Sequence, residues 1–139
     1  MLIEVLNKAS KEIYEANKLK GFDVAESNIG QTLMLIVSEV AEAMEADRKD
    51  RSNMLKVFMQ DLSFGRVDIS DFEKENENCA WIKNRFETTV KDTFEDEIAD
   101  TIIRLFDLCG GLNIDIEKHI DLKLRYNSLR EYKHGGKKY

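Results

Sequence analysis

Hydrophobic positions recur at helical spacing along most of this chain. Residues 1–19 predict a first amphipathic helix, and Gly21 is well placed to end it. The apolar face of this helix consists of Leu2, Val5, Leu6, Ala9, Ile13 and Ala16. The pattern Asn28-x-x-Gln31 is typical of a capping box and opens a second predicted helix over residues 29–48. The apolar face of that helix consists of Leu33, Ile36, Val37, Val40 and Met44.

A third long helix, from about Thr93 to Cys109, is apolar around most of its circumference. Its apolar positions are Phe94, Ile98, Thr101, Ile102, Ile103, Leu105, Phe106 and Leu108. The remaining narrow polar stripe consists of Glu97, Asp100, Arg104 and Asp107. A helix of this kind belongs in the middle of a bundle or at a subunit interface, so we expect the chain to form a homo-oligomer. We expect Gly110-Gly111 to end it, and a last helix to start at Asn113 or Asp115.

Residues 49–92 have the least regular pattern. Apolar clusters predict one short helix near residues 54–62 and another near 81–90, and Ser70-x-x-Glu73 indicates a further cap. We interpret residues 49–92 as an insert within a single domain that spans residues 1–139. Residues 131–139 lack apolar periodicity and predict a basic, extended tail.

Composition narrows the class of protein. The absence of proline, with only 7 glycines among 139 residues, favours an all-α domain. No stretch approaches the roughly 20 apolar residues of a membrane span, and the first residues lack a signal-peptide pattern. These features predict a cytoplasmic protein with no membrane partner.

Charge is unevenly distributed. The chain carries −6 overall, while Leu122–Tyr139 holds six bases and one acid, which leaves −11 on the remainder. An acidic body disfavours nucleic acid as a partner, since nucleic-acid binding requires a broad basic face. The distribution suits a small polyanion held between metal ions and cationic side chains, although a merely solvated basic tail is the simpler alternative.

Two acidic pairs carry the candidate chemistry. Glu39 and Glu42 lie one helical turn apart, as do Glu97 and Asp100. If the two helices face each other, the four carboxylates form a cluster that needs cations to be stable. Oxygen-only ligands suit Mg²⁺ or Mn²⁺, since neither His nor Cys lies in the cluster. Internal salt bridges, for instance with Arg104, are the structural alternative.

At this point the chain resembles a known family. Residues 29–48, with Ser38-Glu39-x-x-Glu42, look like the first signature helix of the MazG-like all-α nucleoside triphosphate pyrophosphohydrolases. Residues 91–105, with Glu97-x-x-Asp100, are similar to the second, and residues 123–135 resemble the tail of one branch. The likeness extends from about Gly21 onward, except for the insert. It implies an all-α helical bundle of the MazG-like type, with about four core helices plus the helical insert, completed by dimerisation.

The resemblance also implies an activity and roles for individual residues. The expected reaction is Mg²⁺-dependent cleavage of an NTP or dNTP to the monophosphate and pyrophosphate. The implied metal ligands are Glu39, Glu42, Glu97 and Asp100. Either Glu39 or Glu42 would help to deprotonate the attacking water. Contacts to substrate phosphate or sugar are expected from Lys123, Asn127, Arg130 and Lys133. Such relatives form dimers or tetramers, so a homodimer or homotetramer is expected.

Two features depart from the family pattern. Ser38 stands where many members carry a second acid, and 54 positions separate Glu42 from Glu97. Two other functions stay open. One is a phosphoribosyl-ATP pyrophosphohydrolase, which uses the same acidic core. The other is a non-catalytic helical module whose acidic stripes are salt-bridged to a partner.

Overall fold

The computed structural model describes residues 5–130. These residues form six α-helices and two short 3-10 helices, and they contain no strand, which confirms the all-α prediction. The α-helices are α1 (Leu6–Leu19), α2 (Ile29–Arg48), α3 (Leu55–Gly65), α4 (Glu77–Thr89), α5 (Phe94–Gly111) and α6 (Ile116–Ser128). The 3-10 helices are Val24–Glu26 and Ile69–Glu73. The predicted tail 131–139 and the first residues of the predicted 1–19 helix lie outside the described residues.

None of the helices within residues 5–130 combines the length and the apolar character that crossing a membrane requires.

The chain divides into two compact units. One contains the residues up to Thr32 together with those from Ile103 onward, and the other is Leu33–Ile102. In the first unit, α1 packs against α6. The side chain of Asn7 donates to Asp115 (2.8 Å), and its backbone N–H donates to the Glu117 carboxylate (3.0 Å). These bonds use the acidic N-terminus of α6 to hold the start of α1.

Several helix ends fall where the capping patterns predict them. The Asn28 side chain accepts a hydrogen bond from the Gln31 N–H (3.0 Å), and α2 then spans the predicted residues. Asp115 accepts from the Lys118 N–H (3.1 Å) and is the N-cap of α6. Gly21 follows α1 with φ +90°, a conformation in which glycine carries no steric penalty.

The helix expected to end at Gly110-Gly111 does end there, since α5 includes both glycines and its last residue is Gly111. A Cβ on Gly110 would lie under 3.0 Å from the backbone of Ser10, and one on Gly111 equally close to Val24. The glycines therefore also allow close packing within this unit. The left-handed residue after the helix is Asn113, with φ +53°.

The second unit has a small aromatic core built by the insert. Phe58, Leu62 and Ile82 are almost fully buried, which brings α3 and α4 together. The Phe86 ring meets the Phe58 ring edge-on at 5.9 Å between centroids, and the Phe72 ring in the same way at 6.1 Å. The expected cap at Ser70 is replaced by a capping box between Asp68 and Asp71. Two short helices in the insert are thereby confirmed, with a 3-10 helix between them.

The end of α2 is tied to the beginning of α5 by three backbone groups. The Arg51 N–H donates to the Ala46 carbonyl (2.9 Å), and the Arg51 carbonyl accepts from the Phe94 N–H (2.8 Å). The Asn53 N–H donates to the Glu95 carboxylate (3.1 and 3.2 Å). Asp50, which lies between the end of α2 and Arg51, adopts φ +54°. The chain therefore reverses directly after α2 in a Schellman-type turn. The two helices that carry the acidic pairs are thus joined near those pairs.

Candidate metal centre

The buried side of α2 includes one of the two acids of its pair. Glu39 is 8% exposed and lies on the same stripe as Ile36, Ala43 and Ala46. Most of the predicted apolar face instead faces outward: Val37 and Val40 are half exposed, and Leu33 and Met44 are similar. Periodicity identified which residues share a face of α2. It did not predict that Glu39 and the two alanines would be buried with Ile36 while the other large apolar side chains are exposed.

In the first half of α5, too, an acidic side chain is buried while apolar side chains are exposed. Glu97 is only 4% exposed, whereas the neighbouring apolar residues Ile98 and Ile102 are 38% and 46% exposed. The polar stripe predicted from the sequence therefore points inward at Glu97. One oxygen each of Glu39, Glu97 and Asp100 lies within 4.8 Å of the others. Three of the four predicted metal ligands meet in this group.

The Glu97 carboxylate experiences a strongly unfavourable environment for a charge. Burial, followed by repulsion from Glu42, Glu39, Asp100 and Asp92, raises its pKa from 4.5 to about 7. None of the hydrogen bonds or ion pairs within residues 5–130 involves this carboxylate. A buried carboxylate in such surroundings is stabilised either by a proton or by a cation.

Glu42, the fourth predicted metal ligand, is exposed. It belongs to neither close oxygen group of the described residues, yet its charge is the strongest single electrostatic contribution to the raised pKa of Glu97. Together with Glu97 it lines a cavity of about 290 Å³. The remaining walls of this cavity are Glu45, Ala46, Lys49, Arg51 and Asp92.

A second group of acids was missed from the sequence. One oxygen each of Asp92, Asp96 and Glu97 also lies within 4.8 Å of the others, so that Glu97 belongs to both groups. Asp96 accepts from the Asp92 N–H (3.0 Å), and Asp92 lies 3.0 Å from the Lys91 ammonium. The signal was the i, i+4 spacing of Asp92, Asp96 and Asp100, which the sequence reasoning passed over in favour of the i, i+3 pairs.

Ser38 occupies the position at which an additional acid would be expected. Its hydroxyl donates to the Leu35 carbonyl in the preceding turn (2.8 Å). Such a bond within the helix keeps the hydroxyl occupied by its own backbone.

The predicted phosphate-binding residues belong to the other unit. Lys123 and Asn127 lie on α6 and Arg130 follows it, all three exposed, while Lys133 lies outside the described residues. The Lys123 ammonium sits 5.1 Å from the centroid of the Tyr126 ring. The carbonyl of Asn127 accepts from the Arg130 N–H (3.1 Å) at the end of the helix.

The donor set of both acidic groups fits a hard cation. Every ligand atom is a carboxylate oxygen, which suits Mg²⁺ or Mn²⁺ and gives Zn²⁺ none of its preferred nitrogen or sulfur ligands. These acidic groups could hold a metal ion.

No protein-family model, no curated protein and no solved structure matches this chain.

Proposed function

We propose that this protein is a Mg²⁺-dependent nucleotide pyrophosphohydrolase, which cleaves an NTP or dNTP to the monophosphate and pyrophosphate. One observation carries the proposal: Glu97 is buried among other acids, no side chain within residues 5–130 donates a hydrogen bond to its carboxylate, and its oxygen converges with those of Glu39 and Asp100. The resemblance of both signature helices to MazG-like enzymes supports the same reading.

The metal would be held by Glu39, Glu97 and Asp100, with Glu42 at the edge of the site. When bound, Mg²⁺ would offset the charge of the carboxylates and polarise the phosphate oxygens of the substrate. A nucleoside triphosphate is itself strongly anionic, so that this acidic site needs the cation in order to admit it.

The carboxylates also supply a proton acceptor. Hydrolysis requires that a water oxygen bonds to the α-phosphorus while the bond to the bridging oxygen breaks and pyrophosphate leaves. A carboxylate takes the proton that the water loses. Glu42 suits this role better than Glu39, because Glu42 is exposed at the cavity and belongs to neither close oxygen group. The positive charges of Lys123, Arg130 and Lys133 would bind the outer phosphates, and Asn127 the sugar or a phosphate.

The oligomeric state forms part of the proposal. Along α2, the exposed residues Leu33, Val37, Val40 and Met44 form an apolar stripe that water would otherwise cover. Their spacing of three and four residues is that of a helix–helix contact. We propose that a second copy of the chain covers this stripe in a homodimer, or in a homotetramer built from such dimers.

A substrate panel tests the activity. Purified protein with Mg²⁺ is assayed for pyrophosphate release from NTPs, dNTPs and phosphoribosyl-ATP. We expect release from at least one nucleotide, and a loss of about 100-fold or more in Glu97→Gln, because a metal ligand is removed. Glu87→Gln, a change at an exposed acid of α4 outside both groups, is the matched control and should retain full activity.

The panel also decides between the alternatives. Release from phosphoribosyl-ATP alone would assign the protein to that narrower reaction. Absence of release from every compound, together with a thermal midpoint that Mg²⁺ leaves unchanged, would contradict the proposal and favour a non-catalytic helical module.

A further inference from the structure

The cavity beside the acidic groups is lined by both acidic and cationic side chains. Its carboxylates are Glu42, Glu45, Asp92 and Glu97, and its cations are Lys49 and Arg51. Its volume of about 290 Å³ exceeds what the metal and its waters need. A ligand that fits this space carries several negative charges and can contact a metal ion and two cations at once.

The backbone of Arg51 is held firmly where this ligand would bind. Its N–H and its carbonyl are both hydrogen-bonded, to Ala46 and Phe94 respectively. Asp50 supplies the left-handed turn that brings Arg51 back alongside the end of α2. The side chain therefore starts from a fixed point, which lowers the entropic cost of binding an anion.

Both cations are paired with acids that an anion can replace. The Arg51 guanidinium lies 3.9 Å from Asp92, a separation too long for a direct hydrogen bond, and the Lys49 ammonium lies 3.0 Å from Glu45. All four side chains are about half exposed, so the two ion pairs contribute little to the stability of the fold. Phosphate oxygens offer Arg a bidentate partner of better geometry.

We propose that Lys49 and Arg51 form the subsite for the pyrophosphate end of the substrate, the group that leaves in the reaction. This inference rests on the proposed function and adds, within Leu33–Ile102, a second set of cations for the outer phosphates besides those proposed on and after α6. Arg51 exchanges Asp92 for a phosphate oxygen when the substrate enters. The subsite selects triphosphates over diphosphates, because only the former place two phosphate groups beyond the cleaved bond.

Binding of inorganic pyrophosphate in saturating Mg²⁺, measured by titration calorimetry, tests the subsite. We expect Lys49→Gln and Arg51→Gln each to raise the Kd for pyrophosphate about tenfold, since each removes a charge-assisted contact. Arg48→Gln is the matched control. Arg48 is the last residue of α2, directly before Lys49, and pairs with the same Glu45 (4.0 Å), but it does not line the cavity. Its Kd should stay within about twofold of the original.

The thermal midpoint with and without Mg²⁺ alone verifies that each variant is folded and retains the metal response. Arg51→Lys keeps the charge and should recover part of the affinity. With a hydrolysed nucleotide, Arg51→Gln should raise KM and reduce the preference for triphosphate over diphosphate. A purely structural role would leave that preference unchanged.

The results separate this inference from the proposed function. Unchanged pyrophosphate affinity in Lys49→Gln and Arg51→Gln, or an equal loss in Arg48→Gln, overturns the subsite even if the original protein hydrolyses nucleotides. Failure of the original protein to bind pyrophosphate overturns it as well. A protein that binds pyrophosphate through Lys49 and Arg51 but hydrolyses no nucleotide overturns the proposed activity instead.

Discussion

Glu97 is the residue at which folding and the proposed chemistry conflict. Its pKa of about 7 lies above the ordinary 4.5, so the folded state binds a proton there more tightly than the unfolded chain does. The stabilising contribution is complete below about pH 4.5 and is lost as the pH rises through 7. Metal-free protein should therefore become less stable between pH 5.5 and pH 8.

We expect this loss to be between about 1 and 3 kcal/mol in the free energy of unfolding. Urea denaturation in EDTA at pH 5.5 and pH 8 measures this loss. Between these pH values, the aspartates whose pKa is lowered, such as Asp71, stay ionised. Glu97→Gln should show a much smaller difference between the two pH values, and saturating Mg²⁺ should abolish the difference in the original protein. Equal pH dependence in the variant and the original would show that Glu97 is not the group responsible.

At the residue level, the sequence predicted the identity of the acids better than their surroundings. Glu39, Glu97 and Asp100 were singled out by spacing, and the structure brings their oxygens together. Asp92 and Asp96 were missed because their i, i+4 spacing with Asp100 was passed over in favour of the i, i+3 pairs, and because Asp92 approaches Glu97 through the turn of chain that precedes α5. Lys49 follows Glu42 and Glu45 at helical spacing, which the sequence reasoning passed over, whereas Arg51 gave no such signal, since the backbone reversal at Asp50 brings it to the cavity.

For the helices, the periodicity of apolar residues predicted where each helix begins and ends better than which of its faces is buried. The range of α2 follows from the Asn28 cap and an uninterrupted apolar pattern, both of which are local. Which side of α2 is buried depends on what packs against it, and there Ala43 and Ala46 replace the larger side chains. The insert was least predictable because its core combines residues from α3, α4 and the 3-10 helix over 25 positions or more of sequence, as in the Phe58–Phe86 contact.

The glycines of α5 allow a test of helix packing. Gly110→Ala places a methyl group against the backbone of Ser10 and the Cβ of Tyr14, both under 3.0 Å away. Backbone cannot move aside as a flexible side chain can, so we expect a loss of about 2 kcal/mol or more in unfolding free energy, measured by urea denaturation. The gain in helix propensity, about 1 kcal/mol, does not compensate for it.

Gly30→Ala serves as the comparison for this change. Gly30 lies in the first turn of α2, and the added Cβ would meet only the Asn28 side chain, at 3.2 Å. We expect its effect on the unfolding free energy to stay within about 1 kcal/mol. If Gly110→Ala were equally harmless, α1 and α5 would not be packed as closely as the structure shows.

On the scale of the whole molecule, the proposed contact between two copies through the apolar stripe of α2 can be tested separately from the proposed metal centre. Val37→Glu with Val40→Glu introduces two charges into the apolar stripe without touching the acids or the cavity. Burying these charges in an interface costs several kcal/mol, so we expect the double variant to be monomeric by multi-angle light scattering. Leu55→Glu, at an equally exposed apolar position at the start of α3, should leave the proposed oligomer intact.

The same double variant decides whether the metal centre belongs to one chain. The three converging acids and the cavity all lie between Glu39 and Asp100 of a single chain, within one compact unit. A monomeric variant should therefore keep the rise in thermal midpoint that we expect from Mg²⁺ in the original protein, measured at equal metal concentration. Hydrolysis is a separate readout, because the proposed phosphate contacts of Lys123 and Arg130 lie outside this unit. Simultaneous loss of the oligomer and of the Mg²⁺ response would contradict a self-contained centre, since the metal would then need ligands from the second copy.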